Sequence, residues 1–522
     1  MDRQHLLAPE KYNLVQEIER YHGEKFALII QEENGEVERV TYAELIEKSN
    51  QIANVFKAND LVKGDIILVT LPRSLDAYIT YVGALKAGLV IIPSSELLRA
   101  KDLQYRIDHS QAKAVVSIDY LVEEFEQVRS IHSLKRFVVG EEVQGWTSLR
   151  EAAITQSTQT EQVETLAEDM AFLAYTSGTT GNPKAAIHSH GWGYAHLKTT
   201  AKHWLGVQED DIVWATAAPG WQKWIWSPFL ATLGSGATAF VYKGKFEATT
   251  FLSLMEQHKI NVLCCTPTEY RIMAKVDQLS EYDLHALHSA VSAGEPLNRE
   301  VIEVFKTTFN IQVRDGYGQT ENTLLVGSLV GVEARPGSMG KPTPGNRVDI
   351  IDEFGEPVDV GEVGDIAVHK STPALFKGYL KDPERTAAQF RGDWYITGDR
   401  ATKDEDGYFW FEGRGDDIII SSGYTIGPFE VEDALVKHPA VQECAVVASP
   451  DAIRGSIVKA FVVLKDASKK DSPTIISELQ DHVKQLTAPY KYPREIEFLD
   501  DLPKTISGKI RRVELRKLGQ KV

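Results

Sequence analysis

The sequence predicts an α/β protein: a large N-terminal domain built from two α/β subdomains and a small β-rich subdomain, then a small α+β C-terminal domain. Three observations predict it. The 522 residues exceed the ~250–300 that a single hydrophobic core serves. Short apolar runs alternate with helix-like stretches, and the alternation restarts after residue 210, as expected of right-handed βαβ units on parallel sheets. After about residue 326 Gly and Pro become dense between short alternating strands, which predicts a change to β-rich structure.

Along the chain, Thr41 and Glu44 have capping-box spacing ahead of the helical stretch ELIEKSNQIANVFKAN. The run DIILVTL from Asp65, the helix-like SLDAYITYVGALKAG, the run LVIIPSS and, after another helix, AKAVVSI complete the first alternation. The second has strand candidates DIVWATAA, TAFVY, INVLCCTP, SAVSAGE and IQVRDGYG, with TTFLSLMEQHK and NREVIEVFKTTFN as helices between them. Beyond a boundary near Gly415 the order is IIIS, a helix opening at Pro428, CAVVAS, KAFVVL, the helix TIISELQDHVKQL and REIEFL. That strand–helix–strand–strand–helix–strand order suits a domain of about 100 residues. The expected domains are 1–415 and 416–522.

With 57 Lys+Arg against 74 Asp+Glu the formal charge is −17, which argues against broad phosphate-driven binding of nucleic acid. Cys264, Cys265 and Cys444 are too few for a disulfide framework and imply a reducing compartment. The first twenty residues include acidic side chains early and lack a signal-peptide core, and no run approaches the ~18 apolar residues of a membrane span. A cytoplasmic protein without a stable membrane anchor is expected.

The segment Tyr175-Thr-Ser-Gly-Thr-Thr-Gly-Asn-Pro-Lys184 lies between the apolar runs MAFLA and AAIH. Consecutive backbone N–H groups in such a loop form a concave anion site, its glycines allow close approach of a polyphosphate, and Lys184 adds a point charge. A polar hairpin turn is the plainer alternative. The string YTSGTTGNPK resembles the phosphate loop of the adenylate-forming superfamily, and further segments in the family's order extend the resemblance over nearly the whole chain. They are Ser292-Ala-Gly-Glu-Pro296, Asp315-Gly-Tyr-Gly-Gln-Thr-Glu321, Tyr395-Ile-Thr-Gly-Asp399, Gly413-Arg-Gly-Asp-Asp417 and Pro503-Lys-Thr-Ile-Ser-Gly-Lys509. YFWFEGRGDD, HPAVQECAVVASPDAIRG and VKQLTAPYKYPREIEF look like the medium-chain acyl-CoA synthetase branch.

The resemblance implies an enzyme that joins a carboxylic acid to the α-phosphate of ATP, releases pyrophosphate and passes the acyl group to CoA. It implies that Thr176, Ser177, Gly178, Thr179, Thr180, Gly181 and Lys184 hold the terminal phosphates. Gly294, Glu295, Asp315, Gly316, Tyr317, Gly318 and Gln319 would form the adenine site, with Thr320 at the α-phosphate. Glu321 would bind Mg²⁺, with Thr180 beside it; Asp399 would accept from the ribose hydroxyls, with Arg414 nearby. Lys509 would bridge carboxylate and α-phosphate. A mobile C-terminal domain would turn about Asp416, bringing Ser421, Ser422, Gly423, Tyr424, Arg454, Tyr492 and Arg494 to CoA. Thr425 stands where the branch usually has Arg.

Acetate-specific relatives carry Trp at the position of Gly318, so an acyl pocket open to longer acids is expected, with Trp221 in its wall. Trp224 and Trp226 are expected in the core. His188 and His190 suggest structural histidines or support for the phosphate loop rather than a metal site. The other readings are a carrier-protein-loading enzyme, a luciferase-like oxidation and a silent nucleotide-binding scaffold. Arg454, Tyr492 and Arg494 argue against the first, and Lys184, Glu321, Asp399 and Lys509 against the last.

Overall fold

The computed structural model describes residues 3–176, 183–294, 297, 299–415, 417, 419–421, 424–451, 454–504 and 510–519. Among these, seven strands form one sheet in the order Thr147–Ser148, Lys135–Val139, Ala114–Ile118, Ile66–Thr70, Val90–Pro93, Met170–Thr176, Lys184–Ser189. All neighbours run parallel except the last pair, which flanks the glycine-rich loop and is antiparallel. A second sheet of nine strands has a parallel centre, Val313–Gly318, Ser289–Ala293, Val262–Cys265, Ile212–Ala215, Thr238–Tyr242 and Phe26–Gln31. Antiparallel strands close both of its edges.

The two sheets share a core. The helix Tyr42–Ala58 opens with the expected capping box, Thr41 accepting from Glu44 N while the Glu44 carboxylate accepts from Thr41 N. The helix Leu75–Lys86 is capped by Ser74 and buried from Asp76 to Lys86. Such all-round burial is what an apolar helix between layers requires. Side chains of both helices pack in one cluster with Ile67, Val69 and Ile91 of the first sheet and Leu28, Ala239 and Val241 of the second.

Two features depart from the expected order. The N-terminal hairpin Phe26–Gln31/Val37–Thr41 belongs to the second sheet, where Leu28 pairs with Ala239; an apolar run does not encode which distant strand it will meet. In the C-terminal region Tyr424–Ile426 forms a hairpin with Ile419–Ser421, and a helix Arg512–Gly519 follows the last strand. Arg512 clamps Glu432 through contacts of 2.7 and 2.8 Å, and Arg516 pairs with Asp417. The small β-rich part is a five-stranded sheet that includes Val348–Ile351, Gly364–His369, Trp394–Lys403 and Phe409–Arg414.

The close approach of the two central helices generates a stability prediction. A Cβ at Gly83 would stand 2.8 Å from both Ile52 Cγ2 and Ser49 O. Gly83→Val is therefore expected to cost about 1–3 kcal/mol through overpacking, seen as a lower urea midpoint; an unchanged midpoint would show that the helix pair has slack.

Candidate active site

Parallel sheets bind ligands beyond the carboxyl ends of their strands, and Lys184, the segment Asp315–Glu321 and the segment Tyr395–Asp399 come together there. Val313–Gly318 delivers Gln319, Thr320 and Glu321 from the second sheet, while Lys184 begins the edge strand of the first. Lys184 Nζ lies 3.1 Å from Glu321 Oε1, and the two side chains are only 19% and 8% exposed. Tyr379 joins them: its hydroxyl donates to Glu321 at 2.7 Å and accepts from Lys184 at 2.5 Å. The chain near Tyr379 is held against the edge strand by Ile187 N donating to Gly378 O and Lys377 N to Ile187 O.

A second cluster surrounds Asp399. The Tyr317 hydroxyl and Gln319 Nε2 both donate to Asp399 Oδ2, the latter at 3.1 Å. Gln319 also donates to Thr397 O at 2.8 Å and accepts from the Tyr395 hydroxyl at 3.2 Å. Burial and the adjacent Asp399 charge push the Tyr317 phenol well above its ordinary range, so it acts as a neutral donor. Burial likewise raises the Asp315 carboxyl to about 7, although the backbone N–H groups of Gly316 and Leu297 pull it down. Gly294 closes the preceding strand at φ +111°, a conformation that favours glycine.

The 318–323 turn is anchored from beneath. His188 Nε2 lies 2.6 Å from Thr320 O, Trp192 Nε1 donates to Asn322 O at 3.0 Å, and His196 Nδ1 lies 2.7 Å from Thr323 Oγ1. His188 thus supports the Thr320 backbone, and His190 is buried where Leu14 N meets its Nδ1 at 3.2 Å. Among the described residues no group of three His, Cys, Asp or Glu side chains is placed to hold a metal. The three cysteines are buried free thiols.

At the expected acyl pocket, a Cβ on Gly318 would lie 2.2 Å from Thr323 O and 2.8 Å from the Trp226 indole. Backbone proximity alone therefore demands glycine there. Trp224 and Trp226 are both buried in the core, as expected; Trp226 is also the indole that meets Gly318, and Trp224 packs against Tyr78, Tyr81 and Phe229. Trp221 is 37% exposed at the start of the short helix Gln222–Trp224.

Of the residues expected at CoA, Arg454, Tyr492 and Arg494 lie in the connections of the three-stranded C-terminal sheet, and Ser421 and Tyr424 lie in the separate hairpin Ile419–Ser421/Tyr424–Ile426. Arg494 Nη1 donates to the Tyr492 hydroxyl at 2.8 Å. Arg454 occupies the turn between Val441–Asp451 and Gly455–Leu464, its N–H donating to Asp451 Oδ1. Arg494 pairs by its backbone with Val458, four residues along, or about 13 Å away in an extended strand. Ser421 is buried and Tyr424 lies on the strand facing it. Arg414 is exposed at the end of a strand, in register with Asp399. Ser177, Gly178, Thr179, Thr180, Gly181, Glu295, Asp416, Ser422, Gly423 and Lys509 lie outside the described residues. Tyr379, Trp192, His196 and Trp226 carry site contacts that no motif signalled.

A buried carboxylate and a lysine thus meet between two α/β layers, the lysine at the start of the strand that follows the glycine-rich stretch of sequence. The chain belongs to the AMP-binding enzyme family: that family's profile matches residues 15–380, and its C-terminal domain profile matches 430–509. It is 60% identical over 519 residues to an uncharacterised acyl-CoA ligase, YtcI, of Bacillus subtilis (strain 168), covering 99% of this chain and 98% of that one. It is 42% identical over 494 residues to the mitochondrial acyl-coenzyme A synthetase ACSM3 of Mus musculus, covering 93% and 85%. The crystal structure of the anthranilate CoA ligase AuaEII in complex with anthranoyl-AMP superposes with a TM-score of 0.91 at 30% identity, covering 99% of both chains.

Two predictions follow from the buried geometry. Gly318→Ala is expected to displace the turn carrying Thr320 and Glu321 and to weaken ATP binding at least about tenfold, since sub-ångström misplacement is costly at such sites; calorimetric titration giving wild-type affinity would refute the steric requirement. The second concerns acid stability. Burial lowers His188 and His190 to about 4 and His196 to about 3, against about 6.5 in an unfolded chain. Below pH 6.5 the unfolded state then binds more protons than the native one, so stability falls as pH drops from about 6.5 to about 4 and is unaffected above. Asp315 acts with the opposite sign in that window, so the informative quantity is the difference from His196→Gln. The variant should gain on the wild type as pH falls; a pH-independent difference in urea midpoint would refute the assignment.

Proposed function

We propose that this protein is an AMP-forming acyl-CoA ligase that converts a medium-chain or related carboxylic acid, ATP and CoA to acyl-CoA, AMP and pyrophosphate through an acyl-adenylate. The observation that carries this reading is the Lys184–Tyr379–Glu321 cluster set beside Tyr317, Gln319 and Asp399. The relatives agree in activity class: one is named an acyl-CoA ligase and another an acyl-coenzyme A synthetase.

In this reading ATP lies over the glycine-rich loop with its terminal phosphates at Thr176 and Lys184, its adenine at Tyr317 and its ribose at Asp399. Charge-assisted bonds from a lysine to phosphate are strong where water is excluded. Mg²⁺ fits Glu321, because this ion takes one or two carboxylates and completes its octahedron with phosphate oxygens and water. When bound it would neutralise phosphate charge. Lys184 then exchanges its contact with Glu321 for phosphate oxygen, and Tyr379 keeps the carboxylate oriented. Lys509 would stabilise the negative charge that develops as the acid's carboxylate attacks. The domains are residues 1–415 and 416–522, turning about Asp416 so that Arg454, Tyr492 and Arg494 meet the CoA nucleotide. A CoA thiol of pKa about 8.5 needs little assistance against an activated carbonyl.

Among the described residues no helix is long and apolar enough to cross a membrane, and the buried free thiols suit a cytoplasmic location. The acid is expected among medium-chain, branched and aromatic carboxylates, the last because an anthranilate ligase shares the fold.

The test is CoA-dependent AMP release from ATP over a panel of such acids, beside Lys509→Ala. Turnover should peak at one acid class and fall roughly 10²–10³-fold in the variant, with adenylate formation lost far more than thioester formation from preformed adenylate. Equal losses in both halves would remove Lys509 from the first step. AMP formed without any CoA requirement would point to a carrier-protein acceptor.

A further inference from the structure

The helix His190–His196 runs into a π-helical turn, Leu197–Leu205, and a second π-helical turn spans Ile225–Ala231. Such widened turns recur at functional sites. His196 stands between the two and touches both. Its Nε2 is 2.9 Å from Trp226 O, and its Nδ1 is 2.7 Å from Thr323 Oγ1, which in turn lies 2.8 Å from Thr200 Oγ1.

The chemistry of the partners orders these bonds. A carbonyl only accepts, so Nε2 carries the proton and donates to Trp226 O. Full burial keeps the ring neutral, so Nδ1 accepts from the Thr323 hydroxyl, whose oxygen accepts from Thr200. The ring is also fixed in plane: Trp192 stacks on it at 5.0 Å and 19°. Its two partners, Trp226 and Thr323, are the groups that close on Gly318, where an added Cβ would meet Thr323 O at 2.2 Å and the Trp226 indole at 2.8 Å.

We propose that His196 is a positioning residue for acid selection: by tying the Trp226 turn to Thr323 it sets the spacing of the two walls that meet at Gly318, and so the width of the acyl pocket. The inference rests on the acyl-CoA ligase reading and deepens it, because it assigns selectivity to a group that touches neither acid nor nucleotide. Packing alone would hold Trp226 near Gly318, but only a donor and an acceptor on one rigid ring fix both walls at once.

The test compares kcat/KM over straight-chain acids from propionate to decanoate and over benzoate for wild type, His196→Leu, His196→Gln and Thr323→Val. Gln keeps a donor and an acceptor at similar separation, whereas Leu removes both and Val removes only the hydroxyl at Thr323. In His196→Leu and Thr323→Val the ratio between the best acid and its neighbours should fall about tenfold, the scale of one methylene in a pocket. The change should appear in KM for the acid, with KM for ATP within about twofold, and His196→Gln should retain the wild-type profile. A uniform loss across all acids with an unchanged profile would overturn the proposal, since a merely structural role predicts that result. If His196→Leu does not fold, Thr323→Val decides alone. Wild-type inactivity with every acid would refute the ligase reading and this proposal together, whereas an active wild type with unaltered variant profiles refutes this proposal only.

Discussion

The site depends on burying the Lys184–Glu321 ion pair. Taking two opposite charges out of water costs several kcal/mol per ion after relaxation, and attraction offsets this only with good geometry and further hydrogen bonds. Tyr379 supplies them, its hydroxyl lying between ammonium and carboxylate. In the proposed reading such a pair exchanges partners: a polyphosphate would offer the lysine oxygens as good as those of Glu321, and the carboxylate would retain the tyrosine donor. The burial that makes the pair costly also makes each contact with a phosphate stronger than it would be in water.

That pair can form only if two sheets present their ends to one another. Lys184 belongs to the first sheet and Glu321 to the turn leaving the second, and the helices Tyr42–Ala58 and Leu75–Lys86 hold the layers together. Tyr379 comes from neither, yet its chain pairs with the edge strand at Ala186. The region after it contributes Tyr395 and Asp399 from a third sheet. Convergence of three structural units on about six polar side chains explains why the contacts are long-range in sequence while the individual elements are ordinary.

This division also governs what is legible in the sequence. The capping box at Thr41, the apolar runs of the parallel strands and the segment from Asp315 to Glu321 are local patterns, and the structure builds each at the expected place. The partner of a strand is not a local property, so the pairing of Phe26–Gln31 with Thr238–Tyr242 was invisible. Tyr379, Trp192 and His196 escaped for the same reason. A tyrosine in FKGYL or a histidine inside an apolar helix carries no signature, and its meaning comes from the group it meets far along the chain: the Glu321 carboxylate, 58 positions from Tyr379, and the Thr323 hydroxyl, 127 positions from His196. His188 stands out by its spacing with His190 and is expected to be structural, but the partner it meets, the Thr320 backbone carbonyl, cannot be read from that spacing.

Gly318 illustrates how one residue can answer two demands. From sequence, the lack of a side chain beside the Gln-Thr-Glu triplet suggests room for a longer acid. In the structure, the carbonyl of Thr323 folds back so closely that even a methyl group has no place. A bulky residue at this position would therefore require a different path for the 318–323 turn as well as a narrower pocket. In the proposed reading Glu321 and Thr320 ride on that turn, so a change that displaces its backbone would move acid selection and nucleotide geometry together. Loss of a side-chain tie at His196 or Thr323 would instead leave the backbone path and act on the spacing to the opposite wall, where Trp226 stands.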